Sequence, residues 1–250
     1  PAPTPAPTPA PTPPKPLSWT QRGYDIDGAN AGDAAGRAVA INSDGTVVAV
    51  TSPYSGEAGQ KAGQLRILAF DFDSLTWTQR GAAIDGAAKL NRLGEFDVAL
   101  NSAGSVVAVG ATGYRGASGP YSGHVRVFAW ESDAWQQIGE DIDGEAGHDR
   151  SGSSVSLSAA GDVVAVGSTS NDEAGKDAGH VRVFSLIDDA WQQVGEDIDG
   201  EAAGDQSGAA SLSGDGLHVA VGSWANSGAG ANAGHVRVFS LVEDGIQVAW

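Results

Sequence analysis

Three stretches of the sequence carry one carboxylate spacing: Asp25-Ile-Asp27-Gly28 followed by Asp33, Asp141-Ile-Asp143-Gly144 followed by Asp149, and Asp197-Ile-Asp199-Gly200 followed by Asp205. Two carboxylates two residues apart, a glycine for a sharp bend and a third carboxylate beyond it offer hard oxygen ligands of the kind calcium takes. The bidentate Glu that closes an EF-hand loop has no counterpart, and a fourth stretch breaks the pattern with Ala83, Asp85 and Asn91 at the matching places. The competing reading is that these Asp side chains accept local backbone N–H bonds and punctuate the crossing from one structural unit to the next. If calcium binds, its expected ligands are Asp141, Asp143 and Asp149, or Asp197, Asp199 and Asp205, with Asp25, Asp27 and Asp33 as the third copy and the Ala83 stretch empty.

Other chemistry is thinly represented. Cysteine is absent, which removes thiolate nucleophiles, disulfides and Cys-ligated metals. His124, His180 and His235 open equivalent segments of a repeat, so they are expected far apart, packed beside Arg126, Arg182 and Arg237 rather than converging on one zinc ion. His148 and His218 stand alone. No Gly-x-Ser-x-Gly elbow with partners is present, and carboxylates that recur regularly read as structural copies rather than as a glycosidase pair. No enzyme is expected. Trp19, Trp77, Trp135 and Trp191 offer sugar-stacking rings, but their recurrence at one position favours packing over an outer sheet edge. Tyr54, Tyr114, Tyr121 and Trp224 lie in long Gly- and Ser-rich loops and are the expected contacts for a ligand or neighbouring chain.

The elements that must position these groups are written as repeats. Trp19-Thr-Gln-Arg-Gly, Trp77-Thr-Gln-Arg-Gly, Trp135-Gln-Gln-Ile-Gly and Trp191-Gln-Gln-Val-Gly follow one another at 58, 58 and 56 residues. Gln64-Leu-Arg-Ile-Leu and the His-Val-Arg-Val-Phe segments at His124, His180 and His235 recur at 60, 56 and 55. A third ladder runs through Thr46-Val-Val-Ala-Val, Ser105-Val-Val-Ala-Val, Asp162-Val-Val-Ala-Val and Leu217-His-Val-Ala-Val. Three ladders with one period define four repeats, at about 34–86, 94–144, 152–200 and 208–250.

Within a repeat the pattern is all β. Ser154-Val-Ser-Leu alternates, Ala160-Gly161 turns, and Val163-Val-Ala-Val suits a strand buried on both faces. His180 to Leu186 forms a third strand, Asp188-Asp189 turns again, and Trp191-Gln-Gln-Val makes a fourth and outermost strand. Helical periodicity is absent. Four antiparallel strands per 55–60 residues is the pattern of a propeller blade, so the fold class is all-β, a β-propeller-like array. Gly152-Ser-Ser-Val155, Val163-Val-Ala-Val-Gly167 and Gly179-His-Val-Arg-Val-Phe184 resemble the FG-GAP repeat of integrin α-subunit propellers and their relatives, and all four repeats follow that order. The resemblance implies calcium loops of the form D-x-D-x-D-G between the first two strands. Here that connection is only Asn42-Ser-Asp-Gly45 and its counterparts, so the family's calcium site does not carry over.

Residues 1–16, PAPTPAPTPAPTPPKP, form a separate stalk. Proline at every second position removes half the donors and fixes φ, which makes polyproline II the default. Thr4, Thr8 and Thr12 in this Pro-rich setting are the expected O-glycosylation sites of a stalk, with an unmodified interdomain linker as the alternative; any sugar is expected to be O-linked, since the sequence contains no Asn-x-Ser/Thr sequon. Opening on Pro1 without Met suggests a processed chain or part of something longer. With 14 Lys and Arg against 31 Asp and Glu, the formal charge of −17 argues against nucleic acid and anionic lipid as main partners. No apolar run reaches the length of a membrane helix. Residues 17–250 supply the repeat domain plus one extra fourth-type strand, Leu17 to Gly23, for seventeen strands in all. That odd strand closes a ring, leaves an open edge, or passes to a neighbouring copy. The functional expectation is an extracellular or cell-surface structural and adhesive module, with other copies as partners. Binding of glycans or calcium is the alternative.

Overall fold

The computed structural model describes residues 17–242 and 245–248. Among these there is no helix, and four antiparallel sheets follow one another along the chain. The stalk, with Thr4, Thr8 and Thr12, lies outside the described residues.

Blade 1 contains β1 (Val39–Ile41), β2 (Val47–Ser52), β3 (Gln64–Asp71), β4 (Thr76–Gln79) and β5 (Ile84–Asp85). Blade 2 contains β6 (Val98–Leu100), β7 (Val106–Gly110), β8 (His124–Glu131), β9 (Ala134–Gln137) and β10 (Ile142–Asp143). Blade 3 contains β11 (Ser154–Leu157), β12 (Val163–Ser168), β13 (His180–Ile187), β14 (Ala190–Gln193) and β15 (Ile198–Asp199). Blade 4 contains β16 (Ser207–Leu212), β17 (His218–Ser223), β18 (His235–Val242) and β19 (Gly245–Val248). Each is a meander in chain order, and the array is β-propeller-like as the ladders predict.

Local chemistry fixes the hairpins. The side chain that opens each first turn accepts the N–H groups that restart the chain: Asn42 Oδ1 takes Thr46 and Val47, Asn101 Oδ1 takes Ser105 and Val106, and Ser158 Oγ takes Val163. At the third turn Ser132-Asp133 and Asp188-Asp189 both hold two successive positive φ angles, the two-residue turn whose twist matches flanking strands. Gly81, Gly139 and Gly195, also at positive φ, interrupt the outer strand. The chain then re-pairs with the start of the third strand, Ile84 opposite Leu65, Ile142 opposite Val125 and Ile198 opposite Val181.

That split corrects the sequence reading. The Asp-Ile-Asp-Gly stretches at 141–144 and 197–200, and Ala83-Ile-Asp-Gly in blade 1, are not loops after the outer strand but its second half, which is why the described strands exceed the count expected; residues 25–28 form no strand. The extra strand expected at Leu17–Gly23 is not formed either: no described segment pairs with it, and Leu17 and Trp19 are fully exposed. Its backbone nevertheless runs beside blade 1, where Arg22 O accepts the Trp77 indole N–H at 2.9 Å.

Apolar burial lies between the blades. One cluster joins Ala49, Leu65 and Ile67 of blade 1 to Val98, Val107, Val109 and Phe128 of blade 2. A second joins Ala108, Val125 and Val127 to Val155, Val164, Val166 and Phe184, and a third joins Ala165, Val181 and Val183 to Val219, Val221 and Phe239. Each blade thus has two apolar faces, because side chains alternate along a strand. The Val-Val-Ala-Val strands are buried on both, as their unbroken apolar run requires. The outward faces of blades 1 and 4 stay uncovered among the described residues: Val39 and Ile41 at one end, Val236 and Val238 at the other.

Candidate functional site

The recurrent polar site sits where the second half of the outer strand meets the start of the third. Antiparallel register places Asp143 opposite His124 and Asp199 opposite His180. His124 is fully buried, with Nδ1 3.0 Å from Asp141 Oδ2 and 4.0 Å from Asp143 Oδ1, while Arg126 Nε stands 3.7 Å from Asp141 Oδ1. His180, equally buried, has Nδ1 3.2 Å from Asp197 Oδ2 and 3.8 Å from Glu145 Oε2, and Arg182 Nη1 lies 3.3 Å from Glu145 Oε1. These Nδ1–carboxylate contacts lie outside hydrogen-bond geometry, and neither Nε2 has a hydrogen-bond partner among the described residues. In blade 2 the Tyr114 ring stacks on His124 at 3.9 Å, which covers one face of the imidazole.

The carboxyls respond to this setting in opposite directions. The His124 ring, then Gln137 and Arg126, hold Asp141 below the usual carboxylate range against burial; His180, then Gln193 and Arg182, do the same for Asp197. Burial pushes Asp143, Asp199 and Glu145 up. Blade 1 builds the same corner without charge pairing, since Gln64 Nε2 donates to Asp85 Oδ1 at 2.9 Å and Ala83 stands where the other blades have Asp141 and Asp197.

The third carboxylate of each triplet does not join the other two. Asp149 Oδ2 accepts the Ala146 N–H at 2.8 Å and the Asn171 amide at 3.2 Å; Asp205 Oδ2 accepts Ala202 N–H at 3.1 Å and Asn226 at 2.8 Å. Asp33 takes the Asn30 N–H at 3.0 Å, and Asn91 holds Ala87 N–H in the same way. These side chains close the loop between blades and, for Asp149 and Asp205, tie it to the next blade's long loop. The expected triads Asp141, Asp143, Asp149 and Asp197, Asp199, Asp205 are therefore corrected. The groups with liganding atoms close together among the described residues are His124, Asp141 and Asp143, and Glu145, Glu173, His180 and Asp197. The histidines are packed beside arginines as expected, but they belong to the carboxylate site, a link that spacing of more than fifteen residues hides. Asp25 and Asp27 lie exposed, without a histidine opposite.

Two further ladders knit consecutive blades. Trp135 Nε1 donates to Arg80 O at 2.7 Å and Trp191 Nε1 to Ile138 O at 2.8 Å, so these tryptophans, with Trp77, hold consecutive outer segments together, whereas Trp19 is exposed. Arg126 donates to Asp85 O at 3.1 Å, Arg182 to Asp143 O at 2.7 Å, and Arg237 to Asp199 O. Of the loop aromatics, Tyr114 is engaged by His124 and Tyr54 Oη reaches Glu95 at 3.4 Å, whereas Tyr121 and Trp224 are exposed. An acidic groove of about 530 Å3 lined by Glu145, Glu173, Glu196, Asp197 and Asp199 opens beside the blade 3 histidine site.

No family model and no curated protein matches the sequence. Solved structures do. Hydrazine synthase of Kuenenia stuttgartiensis superposes with a TM-score of 0.52 at 12% identity, over 84% of this chain and 53% of that one. A putative TolB from Agrobacterium tumefaciens gives 0.49 at 11% identity over 86% and 61%, and the tricorn protease 0.45 at 12% identity over 81% and 18%. The chain spans about half the length of the hydrazine synthase chain, and at this identity the likeness is one of fold.

Proposed function

We propose that this chain is a structural building block that works by assembly at the outside of cells and carries no catalytic centre of its own. The observation that supports it is the pair of uncovered apolar faces at the two ends of the blade series, each of the type that is buried at every internal boundary. Exposed apolar surface of that kind marks an interaction site. The side chains of the recurrent site serve the array: His124 and His180 sit among carboxylates beside arginines, and the recurrent Asp and Trp side chains tie blade to blade. The Pro- and Thr-rich stalk, the charge of −17 and the resemblance to FG-GAP repeats agree with a secreted or surface-bound module whose Thr4, Thr8 and Thr12 carry O-linked sugar. Sedimentation of the full chain over a wide concentration range tests the reading. Species above the monomer are expected at high concentration, and a monomer throughout overturns it.

A second reading rests on the blade 3 cluster. Glu145, Glu173, His180 and Asp197 bring three carboxylates and an imidazole to one groove, a set able to hold a divalent cation, although Arg182 already neutralises Glu145. Calcium binding there raises the melting temperature by mass action, by an amount set by RT ln(1 + [L]/Kd). Calorimetry with calcium and with a chelator decides: equal melting temperatures leave the ion pairs as the whole content of the site.

A further inference from the structure

The structural reading gains a defined interface from a complementarity between blade 1 and blade 4. In blades 1 to 3 the third strand opens with a residue matched to the outer strand beside it: Gln64 with Ala83, His124 with Asp141, His180 with Asp197. Blade 4 opens with His235, which keeps its Glu201 neighbour at 3.6 Å but has no such Asp among the described residues, and its Nε2 is buried without a partner. Residues 25–28 hold the converse, Asp25-Ile26-Asp27-Gly28 with no third strand beside them. Yet Arg66 donates to Asp27 O as Arg126, Arg182 and Arg237 donate to Asp85, Asp143 and Asp199. The segment therefore lies against blade 1 in the place of a preceding blade's outer strand.

Three more observations agree. The residue that Ile84, Ile142 and Ile198 cover in their own blades is Leu65, Val125 or Val181, each with no exposed surface; in blade 4 it is Val236, which is 68% exposed. At Gly86, Gly144 and Gly200 an added Cβ would strike the carbonyl of Ala62, Ser122 or Ala178 at 2.0–2.2 Å, so only glycine fits. At Gly28 the nearest atom is Ala35 Cβ at 3.2 Å, so no carbonyl of the described chain makes that demand. Finally, Val39 is 63% exposed where its counterparts Val98 and Val155 are each 4%, and Val238 is 46% exposed where Val127 and Val183 are 1% and 6%.

We propose that a second copy of this chain supplies the missing half: the leading face of blade 1 and residues 25–28 of one copy dock on the trailing face of blade 4 of the next, with Asp25 against His235 and Ile26 over Val236. This rests on the assembly reading above and specifies its contact. The occupant is another copy because residues 25–28, held against blade 1, carry the Asp and Ile that His235 and Val236 of blade 4 are spaced to receive, in charge as well as in apolar shape, and because both faces are exposed and so do not cover one another within the chain. The contact is heterologous, so repeated docking builds an open row.

Complementation in the full chain tests it. Val39→Lys blocks the leading face and Val238→Lys the trailing face, both at exposed positions where folding, checked by circular dichroism, is unaffected. Each variant alone is expected to sediment as a monomer, and an equimolar mixture as a dimer with no larger species, since only one compatible pair of faces remains. Asp25→Lys is expected to lose assembly, whereas Asp25→Ala with His235→Gln, which copies Ala83 and Gln64, keeps it. Wild-type assembly that both lysine variants leave intact overturns this interface and spares the assembly reading. A wild-type chain that stays monomeric, with cysteines placed at 39 and 238 cross-linking within one molecule, overturns both in favour of a closed ring.

Discussion

The buried histidines depend on single side chains across the sheet. His180→Ala removes a buried ring and leaves Asp197 facing Glu145 and Asp199; a loss of about 1–3 kcal/mol is expected by urea unfolding. His180→Gln with Asp197→Ala, which reproduces the Gln64 and Ala83 corner of blade 1, is expected to recover most of it. Acidity acts on the same groups in two stages. Asp97, Asp143, Asp199 and Glu145 have folded pKa values raised by burial, so their ionisation opposes folding at neutral pH and the penalty is relieved as pH falls through those values. Asp141 and Asp197 are depressed, so their contribution is present above the unfolded value near 3.8 and is lost as pH falls through the folded value. The melting temperature should therefore rise as the pH is lowered from neutral toward the ordinary carboxylate range, and fall once the pH drops below the unfolded value near 3.8. A monotonic fall from neutral pH would contradict the assignment.

At the scale of the element, the split outer strand is the device that makes the site. Its first half anchors the strand through the tryptophan indole, a glycine at positive φ breaks it, and its second half returns to the third strand so that Asp and His meet. The glycine of Asp-Ile-Asp-Gly serves close approach, since Gly144 N donates to Gly123 O at 2.9 Å while the Ser122 carbonyl occupies the space of a side chain. Gly144→Ala is expected to cost about 1–3 kcal/mol in chemical unfolding. The same change at Gly28 should cost the monomer less, because there the nearest atom is a methyl group.

Across the whole molecule, stability is a sum over blades and the boundaries between them, as in other repeat architectures. Blades 2 and 3 are covered on both sides, whereas blades 1 and 4 each leave one apolar face open. Hydrogen exchange followed by mass spectrometry should find β17 and β18 exchanging before β7, β8, β12 and β13. Uniform protection across the four blades of the monomer would show that the ends are covered after all.

The ladders of Trp, His-Val-Arg-Val-Phe and Val-Val-Ala-Val determined the all-β class, the four repeats and the strands on either side of the Asp188-Asp189 turn, because a strand's burial pattern and its turns are written within a dozen neighbouring residues. The link between His180 and Asp197 was not legible that way. It depends on the outer strand breaking at Gly195 and re-pairing with the start of the third strand, a matter of register between segments that are distant in the chain. Asp149 looked like a third ligand by spacing, and only the packing of the next blade's Asn171 showed what its carboxylate binds. Leu17 to Gly23 has the composition of an outer strand, yet composition cannot supply the edge it must pair with. Which apolar faces stay open was likewise decided by tertiary structure, since Val39 and Val98 are the same residue in the same repeat position and differ only in whether a blade lies before them.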